Sequence, residues 1–224
     1  MNISVCLVTH RRLDTIAEIC RAWQAQPIKE LFLADCSGGR LDRTTLPQEM
    51  VVASFSHDLG NRTRHALAPL TQGDVVIQAD DDVMPLPSFT DDLVRGMKIT
   101  NADMVGIIGR TFQGDTYYGK TTFYAANKID FPVHVGFVGV VYATTRKVLP
   151  MDLRGMENPI NDIYWQMLCY PDAVKLVVPT RAYRNLPTSK DGTCLFHSAG
   201  AREVRESFYA SYYNQNYAPT GRQF

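Results

Sequence analysis

Short apolar runs punctuate the first eighty residues: "NISVCLV", "KELFLA", "MVVASF" and the segment from Gly73 to Ala79. Each is bounded by polar residues and has the length and composition of a buried strand. Between the first two lies "LDTIAEICRAWQAQ", in which Leu13, Ile16, Cys20 and Trp23 recur at helical spacing. Arg62 to Leu70 reads as a second helix, and "SFTDDLVRGMKI" as a third, with Ser88 and Asp91 placed for a capping box. Strands alternating with helices predict βαβ units around a parallel sheet.

The second half is less regular. "DMVGIIG", "VHVGFVGVVYA" and "AVKLVVP" read as strands, and "INDIYWQMLCY" and "AREVRESFYASYYNQNY" as helices. The chain of 224 residues, 45% apolar, is large enough for one substantial core. Lys plus Arg and Asp plus Glu number 23 each, which excludes the basic footprint of a general nucleic-acid binder. The longest apolar run falls well short of the roughly 20 residues of a spanning helix, and the N-terminus carries no secretory pattern. A soluble, cytoplasmic protein is the expectation, with five scattered cysteines acting mainly as small buried hydrophobes. No oligomeric state can be read from the pattern.

In an open α/β sheet the ligand lies beyond the carboxyl ends of the strands. After the first strand come Thr9, His10, Arg11 and Arg12; after the second, Asp35, Cys36, Ser37, Gly38 and Gly39; after the fourth, Asp80, Asp81 and Asp82. A phosphate-bearing ligand with a divalent cation would use donors, acceptor and carboxylates together.

The acidic triplet demands compensation. Alternation along an extended strand is expected to put Asp80 and Asp82 on one face and Asp81 on the other. Two carboxylates about 7 Å apart repel by about 2 kcal/mol at an effective dielectric of about 20. No Lys or Arg lies between Gly73 and Arg95, so a hard divalent ion is the natural partner. Arg62 and Arg64 diverge on a helix, being two residues apart. Arg62, nearer the helix start, is expected to reach a ligand and Arg64 to stay in solvent.

The ordered set "VTHRR", "ADCSGG", "GNRTR" and "GDVVIQADDDV" resembles the nucleotide-sugar glycosyltransferases of the GT-A fold, whose DXD motif binds a metal-diphosphate. The pairing of Asn61 and Arg62 with Asp80, Asp81 and Asp82, and the stretch "VHVGFVGVVYATTRKVLP", look most like the exostosin-like branch. The resemblance implies a single Rossmann-like α/β domain over residues 1–224, with a mixed central sheet flanked by helices. Residues 1–85 would form the nucleotide-binding half ending in the DXD motif, and residues 86–224 the acceptor-binding half. It implies that Thr9 and Arg11 contact the nucleotide, with His10 between them in a "THRR" run that departs from the more usual Tyr-Asn-Arg type. Asp35 would bond the base or ribose, Arg62 the donor, Asp80 and Asp81 the ribose or donor sugar, and Asp82, with Asp80, the metal.

Glycosyl transfer needs the leaving diphosphate stabilised, which a bridging metal does without proton transfer. Manganese, or magnesium, is the implied cofactor. In the family's inverting members a carboxylate at a helix start takes the acceptor proton, and Asp162 in "INDIYWQML" stands at that place, with Glu157 shortly before it. The exostosin likeness points instead to retention, where no dedicated base is expected. His197, in "GTCLFHSAG", would be a late metal ligand, and a neutral imidazole favours manganese. His57, His65 and His134 read as structural or surface residues.

The resulting expectation is a metal-dependent transferase moving a sugar from a nucleoside-diphosphate donor, UDP or GDP type, to a hydroxyl acceptor such as a glycan. Two rivals stand beside it. "DDDVM" also fits the D-x-D-x-M of aspartate-based phosphotransferases, although there the motif follows the first strand. A non-catalytic, metal-dependent carbohydrate-binding module is the other, and slow donor hydrolysis would separate it from an enzyme.

Overall fold

The computed structural model describes residues 1–60, 62–119, 121–149, 161–187 and 200–216. Strand β1 (Ile3–Thr9) is buried throughout, as befits a strand with neighbours on both edges and helices on both faces. It is followed by α1 (Leu13–Gln24), β2 (Glu30–Asp35), β3 (Val51–Ser54), α2 (Arg62–Leu67), β4 (Val75–Ala79), β5 (Val83–Pro85) and α3 (Phe89–Thr100). The remainder comprises β6 (Met104–Phe112), β7 (Thr121–Ala125), β8 (Val133–His134), β9 (Phe137–Thr145), α4 (Asn161–Tyr164), β10 (Lys175–Val177), β11 (Tyr183–Asn185) and α5 (Ala201–Asn216).

The main sheet runs β3-β2-β1-β4-β9-β6-β10-β8, with β7 paired to β6. The first four strands are mutually parallel, and β9 lies antiparallel between β4 and β6. The chain leaves β1 for β2 on one side and reaches β4 on the other, so their carboxyl ends border a crevice at the order reversal.

Strand periodicity builds both layers. Val5, Leu7, Leu31, Leu33, Val75 and Ile77 face one way, against Ile16, Ile19 and Trp23 of α1 and Phe89 and Leu93 of α3. Cys6, Val8, Phe32, Ala34 and Val76 face the other, against Leu67 and the adjoining Ala68. On that second side Met104, Val138 and Tyr142 meet Trp165, just beyond α4.

Several expectations change. "VHVGFVGVVYA" is two strands, and β5, β7 and β11 were not foreseen, being short or at an edge. The capping box does not form: Ser88 takes a left-handed backbone (φ 70°) and makes no side-chain cap bond. Gln26, from beyond α1, accepts from the Thr90 N–H at 3.3 Å and hydroxyl at 2.7 Å instead. The helix expected over "INDIYWQMLCY" is the short α4 followed by a wide π turn at Trp165–Cys169. Cys6, Cys20 and Cys36 are buried as expected, but Cys169 is exposed. Among the described residues no helix is long and apolar enough to cross a membrane.

The π turn is tied to the sheet by one side chain. β4 ends opposite Val141, so Val138 has no partner from β4. The buried Gln166 amide takes that place, accepting from Val138 N–H at 2.9 Å and donating to Val138 C=O at 2.7 Å. Gln166→Leu leaves both groups buried and unpaired. It should cost about 1–3 kcal/mol for each, read as a lower urea midpoint at unchanged m-value.

Candidate functional site

The crevice gathers charged groups from four parts of the chain. β4 stops at Ala79 and the backbone turns through the triplet, so strand alternation does not govern it. This corrects the expected placement. Asp81, with Asp82 beside it, turns toward the end of β1: Asp81 accepts from Thr9 Oγ1 at 2.8 Å and from Arg12 at 2.5 Å. A second Arg12 nitrogen lies 3.6 Å from Asp82. Asp80 turns the other way and pairs with Arg64 of α2.

Arg64 is fully buried and bridges two carboxylates, Asp80 and Asp162, the latter at 3.1 Å. It also reaches the Val140 carbonyl at 3.5 Å. Asp162 accepts in addition from His65 Nε2 at 2.6 Å and from the Tyr142 hydroxyl at 3.0 Å. Burial alone would raise the Asp162 carboxyl, but Arg64, His65 and Tyr142 together hold it well below the ordinary carboxylate range. Burial lowers His65, so its imidazole is neutral at pH 7 and donates from Nε2.

Positive charge therefore comes from Arg12 and Arg64, which lie outside the stretch from Gly73 to Arg95 that the local composition covered. Among the described residues Asp80, Asp81, Asp82 and Asp162 thus share the Arg12 and Arg64 guanidiniums. Burial pushes the Asp80 carboxyl up to about 7, with Asp82, Asp162 and Asp81 adding to the effect against Arg64. Asp82 is raised by burial and by Asp81, against Arg12. Asp82 Oδ1 is buried and, among the described residues, has no hydrogen-bond donor.

Among the described residues no group of three or more His, Cys, Asp or Glu side chains could hold a metal by itself. The Asp82 oxygen, beside the Asp81 carboxylate, fits a hard cation that draws its other oxygens from a ligand. His197, the expected late ligand, and Glu157 and Asn61 lie outside the described residues.

Of the other expected residues, Asp35 is buried at the end of β2, accepting from Ser37 N–H at 2.9 Å and Ser54 hydroxyl at 2.8 Å. Burial works to raise it, yet the Ser37 and Ser54 bonds and Arg43 bring it below the ordinary value. His10 Nδ1 lies 2.7 Å from the Cys36 carbonyl, and Arg11 is exposed. Arg62 is half-buried and donates to the Leu59 carbonyl at 3.0 Å, so the arginine that reaches the triplet is Arg64, reversing the expected order. Arg12, His65 and Tyr142 were missed as well. Helical spacing held a signal for Arg64, since it lies three and four residues before the buried Leu67 and Ala68 and so shares their inward face.

No family model matches the chain, and no curated protein matches it in sequence. Its fold recurs in solved structures. Residues 1–349 of S. aureus TarS align with a TM-score of 0.56 at 15% identity, over 99% of this chain and 74% of that one. TarS 1–349 in complex with UDP aligns with a TM-score of 0.58 at 15% identity, over 98% and 73%. The fold is a single glycosyltransferase-like Rossmann domain. These neighbours carry the fold and not the exostosin-like affinity read from motif order.

Two outcomes follow. Between about pH 4 and pH 7 native Asp80 keeps a proton that the unfolded chain has lost, so this group makes stability fall as pH rises through that window. Asp162 has the opposite sign: its contribution is complete above the ordinary carboxylate value and is lost on further acidification. Asp80→Asn should therefore gain in melting temperature relative to wild type as pH is raised from about 5 to about 8 in chelator. Arg64→Met, which strands Asp80 and Asp162, should cost about 3–5 kcal/mol in chemical unfolding at neutral pH.

Proposed function

We propose that the chain is a glycosyltransferase that moves a sugar from a nucleoside-diphosphate donor, UDP or GDP type, to a hydroxyl acceptor such as a glycan. One observation carries the reading: Thr9, Asp35 and the acidic triplet converge at the carboxyl ends of β1, β2 and β4. The UDP complex of TarS, a protein of like fold, supports it.

In this reading Asp35, already oriented by Ser37 and Ser54, accepts from the base or ribose. Thr9, His10 and Arg11 border the nucleotide, with Arg62 on the donor side. Asp80 and Asp81 face the ribose or donor sugar, steadied by Arg64 and Arg12. Asp82 would hold a divalent cation, manganese or magnesium, with His197 as the proposed further ligand, while Asp80 is engaged by Arg64. When bound, such an ion stabilises charge developing on a leaving diphosphate. Arg12, three residues beyond the end of β1, adds a fixed positive charge there.

Asp162 borders the same crevice. Donors from Arg64, His65 and Tyr142 already occupy its oxygens and lower its basicity, so its contribution in this reading is to hold Arg64 and His65 in place beside the reacting groups.

The test is thermal stability with UDP or GDP, with manganese or with chelator. Nucleotide at about 100 times its Kd should stabilise by about 2.7 kcal/mol with the ion present. Asp82→Ala should lose most of this shift, and UDP-glucose or a related donor should hydrolyse slowly in the wild type only. Equal stabilisation in chelator would remove the cation-diphosphate site.

A further inference from the structure

A second cavity, of about 410 Å³, lies on the α4 and α5 side of the sheet. That is within the range of about 300–1,000 Å³ common to small-molecule sites. Tyr209, Tyr212 and Tyr213 of α5, Phe112 at the end of β6 and Met167 of the π turn wall it, and Lys175 contributes a cationic edge.

The walls are fixed. Phe112 and Tyr209 stack with ring centroids 4.7 Å apart and planes inclined by 28°. The Tyr209 hydroxyl donates to the Gly114 carbonyl at 3.2 Å, and Gly114 sits at φ +89°, a conformation that favours glycine. A Cβ on Gly136 would come within 3.0 Å of the Phe112 ring, so the missing side chain leaves room for that wall. Lys175 Nζ is held by the Tyr170 and Ala173 carbonyls at 2.9 and 3.2 Å.

Flat aromatic faces with hydroxyls and backbone oxygens at their edges match one ligand chemistry well. A sugar ring has an apolar C–H face for stacking and hydroxyls around its rim, and tyrosine offers an apolar body with a polar tip. An acyl chain would set Thr111 and the exposed Gly114 backbone against hydrocarbon, at the cost of desolvating polar groups.

The cavity is joined to the acidic crevice by one helical run. Asp162 bonds Arg64 and His65 near the start of α4, and Met167, five residues on or roughly 7 Å of helical rise, faces the cavity. Ile163, next to Asp162, is buried in one cluster with Met167, Tyr209 and Tyr212.

We propose that this cavity seats a sugar ring of the hydroxyl acceptor, which approaches the crevice along α4. The word acceptor rests on the glycosyltransferase reading; the sugar site does not. Saturation-transfer NMR with maltose, lactose and N,N′-diacetylchitobiose tests it, alongside a UDP titration with manganese on the same samples.

At least one disaccharide should receive saturation from the wild type. Tyr213→Ala should weaken that sugar by about tenfold or more and Tyr213→Phe by no more than about threefold, with UDP affinity unchanged in both. If Tyr213→Ala does not fold, Met167→Trp, which fills the cavity from the π turn, should give the same loss. No transfer to any of the three sugars, or unchanged affinity in the Ala or Trp variant, overturns the sugar site even where UDP binds. Sugar binding that depends on Tyr213, without any UDP binding, upholds the site and overturns the donor reading.

Discussion

The rest of the crevice is arranged around two arginines that are each shared between carboxylates. Among the described residues Asp80, Asp81, Asp82 and Asp162 meet Arg12 and Arg64 where the parallel strands end. Burying a guanidinium costs several kcal/mol unless good geometry repays it, and Arg64 meets that requirement only by serving Asp80 and Asp162 together. Arg12 does the same for Asp81 and Asp82 from the other side. Each arginine thereby anchors a separate piece of chain, the β1–α1 junction and α2, to the turn after β4.

Much of the fold was legible because its strongest signals are local. β1, β2 and β4 are buried on both faces and read as continuous apolar runs, and α1 and α3 show their inward stripes plainly. The start of α3 was misread because its backbone donor is satisfied by Gln26, more than sixty residues earlier. No local pattern carries that information. The triplet was recognised, but its geometry was not, since alternation holds only while the strand continues and β4 stops one residue too soon.

The candidate site divides in the same way. Thr9, Asp35 and the aspartates follow directly from strand ends. Arg64 and His65 had a helical signal that was outweighed by the presumption that charged residues face water. Arg12 could not be separated from Arg11 by spacing alone, because both follow the end of β1, where periodicity has ceased. Tyr142 was hidden in a strand and acquires its role only through the fold, where its hydroxyl meets Asp162.

The neighbourhood of Val140 shows how the antiparallel insertion serves the crevice. Val140 has φ 67°, unusual for a β-branched residue, and lies where the β6–β9 register shifts. The irregularity leaves its carbonyl within reach of Arg64. Backbone strain of this kind persists where surrounding contacts over-determine it, here the Arg64 pairings on one side and Gln166 on the other.

β9 has a further consequence for biogenesis. It covers the flank of β4, yet it is translated more than fifty residues later. Until it arrives, a largely apolar strand presents an open edge able to recruit another nascent chain. The interval between the two strands is therefore a window of aggregation risk, and chaperone demand during synthesis should be concentrated within it.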